Sequence, residues 1–255
     1  MQDRQPQAPH QYGSLFYQYQ RTGAALSAAR LLPEVLRHVT VRSVLDVGCG
    51  AGAWVKGYRD LGIEDCVGVD GDYVDRSVLV MDRGDFHARD ITKPFDFGRQ
   101  FDIVQCLEVA EHVPRTSGAM VIENIVRHGK MVLFSAAPPG QGGEDHINER
   151  PYEYWRDMFL RHDFHLFDFV RPAIQNDAAI EPWYRFNVLF YAHDSIVESL
   201  PSAVQASRVP DSGRIADDSP LEYRMRRLLL RCLPQWVVSK LAVWKHRRTV
   251  NSMGH

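Results

Sequence analysis

Short apolar runs alternate with amphipathic stretches along most of the chain. Ser43–Val47 (SVLDV) is apolar at nearly every position and stops at glycines, as a strand covered on both faces does. Cys66–Val69, ending in Asp70, repeats the pattern, as do Phe101–Leu107 (FDIVQCL) and Met131–Ala136 (MVLFSA), with a weaker run over Phe86–Ile91. Between the runs, the spacing predicts helices over Gly23–Val39, over Ala51–Leu61 and from Val109 onward. The first of these carries apolar residues at Leu26, Leu31, Leu32, Val35 and Leu36. Pro151 is placed to open a helix reaching about Arg161. Phe164–Val170 and Phe186–Ala192 alternate aromatic and aliphatic residues and read as a final antiparallel pair.

Strands alternating with helices predict an α/β fold: a Rossmann-like, seven-stranded, mostly parallel sheet with helices on both faces and an antiparallel last strand. Ligands of such sheets sit at the carboxyl ends of the strands. Each apolar run here ends in glycine or a polar residue: Gly48, Asp70, Asp90, Glu108 and Ser135. Residues 1–40 read as a helical cap and 41–194 as the ligand-binding domain. Residues 195–220, rich in Ser, Pro and Asp, read as a linker, and 221–255 as a basic amphipathic extension.

Composition changes this picture only at the tail. The chain has 255 residues, 45% hydrophobic and 24% charged, which suits one α/β domain with an appendage. No apolar run approaches the roughly 18 residues of a membrane span, and the stretch MQDRQPQAPHQYGS is polar, without the apolar run expected of a secretory signal. Cys49, Cys66, Cys106 and Cys232 are scattered without a CxxC pair, so neither a zinc site nor a disulfide framework is expected, and the reading is a reducing cytoplasm. Charge is uneven. Between Leu221 and Val250 eight Arg and Lys face Glu222 alone, a net +7, which leaves −9 for the rest of a chain whose total is −2.

The turn Asp46-Val47-Gly48-Cys49-Gly50-Ala51-Gly52 joins the first strand to a helix. Glycines there allow a tight turn and close approach of a ligand to the backbone, at a helix N-terminus that favours negative charge. On spacing alone a dinucleotide is also admissible, since Ala53 stands where a G-x-G-x-x-G/A fingerprint has its last residue; a nicotinamide reductase is therefore an open reading of the loop. Asp70, some 20 residues on, is placed to accept hydrogen bonds from ribose hydroxyls. Taken together, VLDVGCGAGAW, the acid at Asp70, Asp90–Thr92 and FDIVQCLEVAEHVP resemble the successive motifs of class I S-adenosylmethionine-dependent methyltransferases over residues 40–192. The resemblance implies that Gly48 and Gly50 line the methionine end of S-adenosylmethionine, with Asp46 and Cys49 in the same turn. It implies that Asp70, followed by Gly71, holds the ribose, that Asp90 and Ile91 flank the adenine, and that Leu107 and Glu108 border the sulfonium.

Methyl transfer from a sulfonium needs an oriented acceptor, a dry site and, for a hydroxyl acceptor, a destination for its proton. Glu108, Glu111 and His112 stand at i, i+3 and i+4, one face of a helix if Glu108 opens it. His146 lies in the loop after the fifth strand, at the same sheet edge. These four could hold a divalent cation (Mg²⁺, Mn²⁺, Fe²⁺ or Zn²⁺), and they resemble the E-x-x-E-H group of the metal-dependent O-methyltransferases of ubiquinone biosynthesis and small-RNA 3′-end methylation. Without a metal, His146 is the first choice of general base, with His112 second and Glu111 beside them. GQGGEDHINERPYEYW resembles bacterial methyltransferases of polysaccharide and secondary-metabolite pathways, which implies O-methylation of a sugar, glycan or small metabolite. Tyr152, Tyr154, Trp155, Trp183 and Tyr184 are candidate walls for the acceptor. A metal-dependent RNA 2′-O-methyltransferase and a non-catalytic cofactor-binding protein are the rival readings; the first would want basic charge near the site, and the basic segment is expected to lie far from it.

That segment has its own pattern. Leu221, Met225, Leu228 and Cys232 recur at i, i+4, i+7 and i+11, an amphipathic helix that Pro234 should interrupt. Trp236, Val237, Leu241 and Trp244 continue the stripe, flanked by Arg224, Arg226, Arg227, Arg231, Lys240, Lys245, Arg247 and Arg248. Residues 221–250 thus suit an anionic membrane surface or a second subunit, making the protein cytoplasmic or peripheral to the membrane; nucleic acid fits the charge but comes with no recognition motif.

Overall fold

The computed structural model describes residues 14–234 and 237–241, with side chains from residue 23 onward. The apolar runs pair into one seven-stranded sheet: β1 (Ser43–Val47), β2 (Asp65–Asp70), β3 (Phe86–Ala88), β4 (Ile103–Leu107), β5 (Met131–Ser135), β6 (Phe164–Phe167) and β7 (Leu189–His193). Their order is β3-β2-β1-β4-β5-β7-β6, all parallel except β7, which runs antiparallel to both β5 and β6. The order reverses between β1 and β4, so the first crevice at the carboxyl edge opens between the Gly48 turn and the residues after Leu107. The strands bury most of their side chains because helices cover both faces. On one face α1 (Ser14–Leu36) and α2 (Ala53–Asp60) share a core with Val44, Ile103 and Leu133. On the other, α3 (Gly118–His128) and α4 (Tyr152–Leu160) enclose Leu45, Val104, Cys106 and Phe134. Cys49, Cys66 and Cys106 are free and buried, small hydrophobes as expected.

Several boundaries differ from the sequence reading, and each has a local cause. The helix expected from Val109 is absent: Glu108 takes a left-handed φ of 54°, residues 110–113 form turns, and α3 begins only at Gly118, after Pro114. Glu108, Glu111 and His112 therefore do not share a helix face. The third strand stops at Ala88, because Asp90 folds back to accept the amide and hydroxyl of Thr92. Its Asp90 is exposed while Ile91 is buried. The last pair is shorter than expected, for Pro182 opens α6 (Pro182–Asn187), preceded by α5 (Val170–Ile174), and Trp183, Tyr184 and Phe186 are helical.

Residues 195–220 are not a free linker. They contain α7 (Asp194–Val197) and α8 (Ser202–Gln205), bury Leu200, Val204 and Ile215, and are tied down by the buried Arg171, whose Nη1 donates to the Ala216 carbonyl at 3.0 Å. Nor is the basic segment remote. Helix α9 (Leu221–Arg231) ends before Pro234 as expected, but it lies along the loop that follows β5. Arg226 Nη1 donates to the Gln141 carbonyl at 3.0 Å and Arg231 Nε to the Pro139 carbonyl at 2.9 Å. The inner side of α9 is Tyr223, stacked at an angle on Phe186, and the buried Arg227, paired with Asp217. Trp236, Trp244 and residues 245–250 of the expected stripe lie outside the described residues.

The loop accepts α9 only because Gly140 lacks a side chain: at φ 83°, a Cβ there would stand 2.3 Å from the Arg227 carbonyl oxygen. Gly140→Ala is thus expected to lower the melting temperature by about 3–8 °C, the equivalent of about 1–3 kcal/mol of left-handed strain and lost contact in a chain of this size. It should also speed tryptic cleavage between Arg224 and Arg231. Unchanged melting and cleavage would show that this contact does not hold the helix.

Candidate functional site

The site begins at the end of β1. Gly48 and Gly50 take φ of 81° and 52°; a Cβ on Gly48 would run into Val109 at 2.5 Å, whereas at Gly50 it would meet nothing within 4 Å. Gly50 is where the backbone is open to an approaching ligand. Asp70, at the end of β2, is buried and turned back onto this loop. Its Oδ2 accepts the Gly50 amide at 2.7 Å, and its Oδ1 accepts the Gly71 amide and the Tyr73 hydroxyl, both at 2.6 Å. Burial raises the Asp70 carboxyl while these three bonds pull it down. Tyr73 was not anticipated from the sequence; nothing but its place three residues after Asp70 signals it. Asp46 lies beneath the turn. Gln105 Nε2 donates to its Oδ1 at 3.2 Å, and its Oδ2, fully buried, has no hydrogen-bond partner. Burial pushes the Asp46 carboxyl up to about 7. A buried carboxylate with one oxygen unanswered suits an ammonium group of a ligand seated over Gly50, so the turn fits an amino-acid-bearing cofactor.

Across the crevice, the turn after β4 meets the loop after β5. The Glu111 carbonyl accepts the amides of Ile147 and Asn148, both at 2.9 Å, and Asn148 Nδ2 donates to the Ala110 carbonyl at 3.1 Å. This junction sets His112 and His146 edge to face, ring centroids 4.8 Å apart, and gathers Glu111, His112 and His146 so that one ligating atom of each lies within 4.8 Å of the others. Both Glu111 carboxylate oxygens and His112 Nδ1 are buried without a hydrogen-bond partner. Burial, then the neighbouring Glu108 charge, drives the Glu111 carboxyl well above the usual carboxylate range. Burial, then His146, pushes His112 down to about 3, so His112 stays neutral and offers a lone pair rather than taking up a proton. Glu108 neighbours Glu111 but is held by other partners. Gln141 Nε2 donates to its Oε2 at 2.7 Å and Asn187 Nδ2 to its Oε1 at 3.1 Å, while the Tyr152 hydroxyl donates to Asn187 Oδ1 at 2.9 Å. Burial raises Glu108 and the two amides oppose it.

His146 does not sit on a slack glycine run. It is buried, its Nδ1 faces Glu149 Oε1 at 3.0 Å, and the same carboxylate accepts the amides of Gly140 at 2.6 Å and Gly142 at 2.7 Å. Glu149 thus assigns the proton to Nδ1 and leaves Nε2 with its lone pair. Glu149, Gln141 and Asn187 were missed in the sequence. Only Glu149 had a local signal, its i+3 spacing from His146. Of the five aromatic residues considered as acceptor walls, Trp155 and Tyr184 are core, and Tyr152 is tied to Glu108 through Asn187.

Residues 17–173 match the family model described as a methyltransferase domain. A ubiquinone biosynthesis O-methyltransferase of Paraburkholderia xenovorans (strain LB400) is 28% identical over 111 residues, 38% of this chain and 45% of that protein. That of Paraburkholderia phytofirmans (strain DSM 17436 / LMG 22146 / PsJN) is 27% identical over the same length and shares. The match spans less than half the length of these relatives. Among solved structures, a sugar N-methyltransferase from Streptoalloteichus sp ATCC 53650 superposes with a TM-score of 0.45 at 24% identity, covering 57% of this chain and 62% of that one. Magnesium protoporphyrin IX methyltransferase from Synechocystis PCC 6803 superposes at 0.49 and 15% identity, covering 73% and 90%.

Asp46 offers a test with a defined sign. Its carboxyl holds a proton in the folded state up to about pH 7. The unfolded chain releases that proton near pH 4, so stability falls as pH rises between these values. Asp46→Asn should melt on the order of 5 °C higher than the wild type at pH 8, with the difference vanishing near pH 4. It should also bind S-adenosylmethionine more weakly. Parallel melting curves from pH 4 to pH 8 would show that Asp46 ionises normally.

Proposed function

The chain belongs to the methyltransferase domain family, and from that premise we propose that it transfers the methyl group of S-adenosylmethionine to a hydroxyl oxygen of a small metabolite or sugar, with a divalent cation held by Glu111, His112 and His146. The observation that carries the cation is the set of unanswered lone pairs: both Glu111 oxygens and His112 Nδ1, buried together. Unsatisfied buried polar atoms are few in folded proteins and costly, and a divalent ion taking one atom from each of the three residues would answer the Glu111 carboxylate. One carboxylate and two imidazoles suit Mn²⁺, Fe²⁺ or Zn²⁺, and Mg²⁺ with added water. Oxygen as the acceptor atom rests on the O-methyltransferases among the relatives. A bound cation supplies Lewis acidity, lowering the pKa of an acceptor hydroxyl.

The chain's own residues do the rest. Asp70 would accept the ribose hydroxyls in exchange for the Tyr73 hydroxyl, and Asp46 would offer its free oxygen to the amino group of the methionine moiety. Leu107 and Val109 border the crevice and exclude water from the reacting atoms. Glu108, clamped by Gln141 and Asn187, is fixed at the edge of the crevice, where the sulfonium is expected. Glu149 orients His146. The same His146–Glu149 pair favours a second reading, in which Nε2 of His146 takes the acceptor's proton directly and no cation is needed.

S-adenosylhomocysteine release, followed over a panel of hydroxylated sugars and phenols, separates the two. Under the cation scheme EDTA abolishes turnover, Mn²⁺ or Mg²⁺ restores it, and Glu111→Gln costs as much as His146→Ala, about 10²-fold or more. Calorimetry should then show Mn²⁺ affinity rising with pH, because Glu111 must give up its proton to bind. Full turnover after exhaustive chelation would leave the histidine mechanism standing. Asp70→Ala is expected to weaken S-adenosylmethionine by about 10-fold or more, through lost bonds to a charged acceptor, under either scheme.

A further inference from the structure

Helix α9 is amphipathic the wrong way round for a helix that only packs on its own domain. Its inner side holds Tyr223, Arg227 and Leu230. Its outer side holds Leu221, Met225, Leu228 and Leu229, whose exposures are 65%, 56%, 60% and 71%. Cys232 continues that side, also exposed. Among the described residues, nothing covers this stripe. We propose that α9 is an interfacial helix that seats the protein on an anionic lipid surface, beside the mouth of the site.

Charge selects the occupant. Arg224 and Arg231 border the stripe on one side, and Glu222 and then Arg226 on the other, at the angles an α-helix gives these positions. Two copies meeting stripe to stripe would set these arginines against their own kind, whereas lipid headgroups of negative charge complement them. The segment 221–250 carries +7 against −9 for the rest of the chain, and in the described helix Arg224, Arg226 and Arg231 are the exposed part of that charge. No helix among the described residues is long and apolar enough to cross a membrane, so α9 would lie on the surface. A second, partly apolar groove lies on the inner side of α9, against the loop after β5. Ile147, next to His146 and 58% exposed, lines this groove with Leu230, Leu233 and Val238, into which Arg150 and Arg231 also face. Because Arg226 and Arg231 hold that loop by its carbonyls, the helix that meets lipid also carries the acceptor side of the site.

The lipid contact stands without the proposed reaction; only its placement beside an acceptor site rests on that reading. Co-sedimentation of the full chain with vesicles tests it. Partition into phosphatidylcholine vesicles containing about a quarter phosphatidylglycerol should exceed that into pure phosphatidylcholine at least about 10-fold and fall in about 0.5 M NaCl. Met225→Glu with Leu228→Glu should cut partition at least about 10-fold while melting temperature and S-adenosylhomocysteine affinity stay unchanged. No partition at millimolar phosphatidylglycerol would overturn the proposal. So would a dimer in ultracentrifugation that the double variant makes monomeric, which would assign the stripe to a second copy. Lipid binding with no methyl transfer to any acceptor would sink the proposed function and leave α9 as described.

Discussion

The forked backbone bond at Glu111 holds the site together. One carbonyl accepts two successive amides, those of Ile147 and Asn148, and so staples the turn after β4 to the loop after β5. Neither segment has a helix or strand of its own at that point, and their strands fix only where each starts. The fork decides where they end, and it brings Glu111, His112 and His146 within reach of one another. Its cost is visible in the same place: a fully buried carboxylate with no donor. Buried carboxylates are seldom left without a donor, and the proposed cation rests on this one.

The loop after β5 is braced from both sides. From within, Glu149 takes the amides of Gly140 and Gly142 and the ring of His146, so one carboxylate sets the loop's path and the histidine's tautomer together. From without, α9 grips two of its carbonyls through Arg226 and Arg231. A third tie runs through Gln141 and Asn187 to Glu108, on the far side of the crevice. Glycines in this loop are therefore there for closeness of approach rather than for mobility. Whatever α9 contacts on its outer side is one hydrogen bond removed from the loop that carries His146.

The cofactor side is simpler, because its parts are local to single strand ends. The glycine turn needs only β1, and Asp70 needs only β2 next to it in register. Both were legible in the linear chain: glycines after an apolar run, then an acid some 20 residues on. Asp90 was placed less well, since its strand ends early where the Thr92 amide and hydroxyl compete for it.

The sequence by itself determined the seven strands, their polar ends, the glycine turn and that Glu108, Glu111, His112 and His146 come to one sheet edge, because apolar periodicity and turn chemistry are properties of short stretches of chain. It misread the chain from Val109 onward as helix, since the spacing i, i+3, i+4 is equally available to a turn, and the Ser135 and Ile147 contacts select the turn. It missed Glu149, Gln141 and Asn187, whose roles exist only once separate loops are brought together. Residues 195–220 looked like a linker because their composition is polar, yet three buried apolar side chains and the Arg171 anchor hold them to the domain. The apolar stripe of α9 was legible to the residue, but its direction was not. Periodicity tells which side of a helix is apolar; only the surface it packs against decides which side is left facing out.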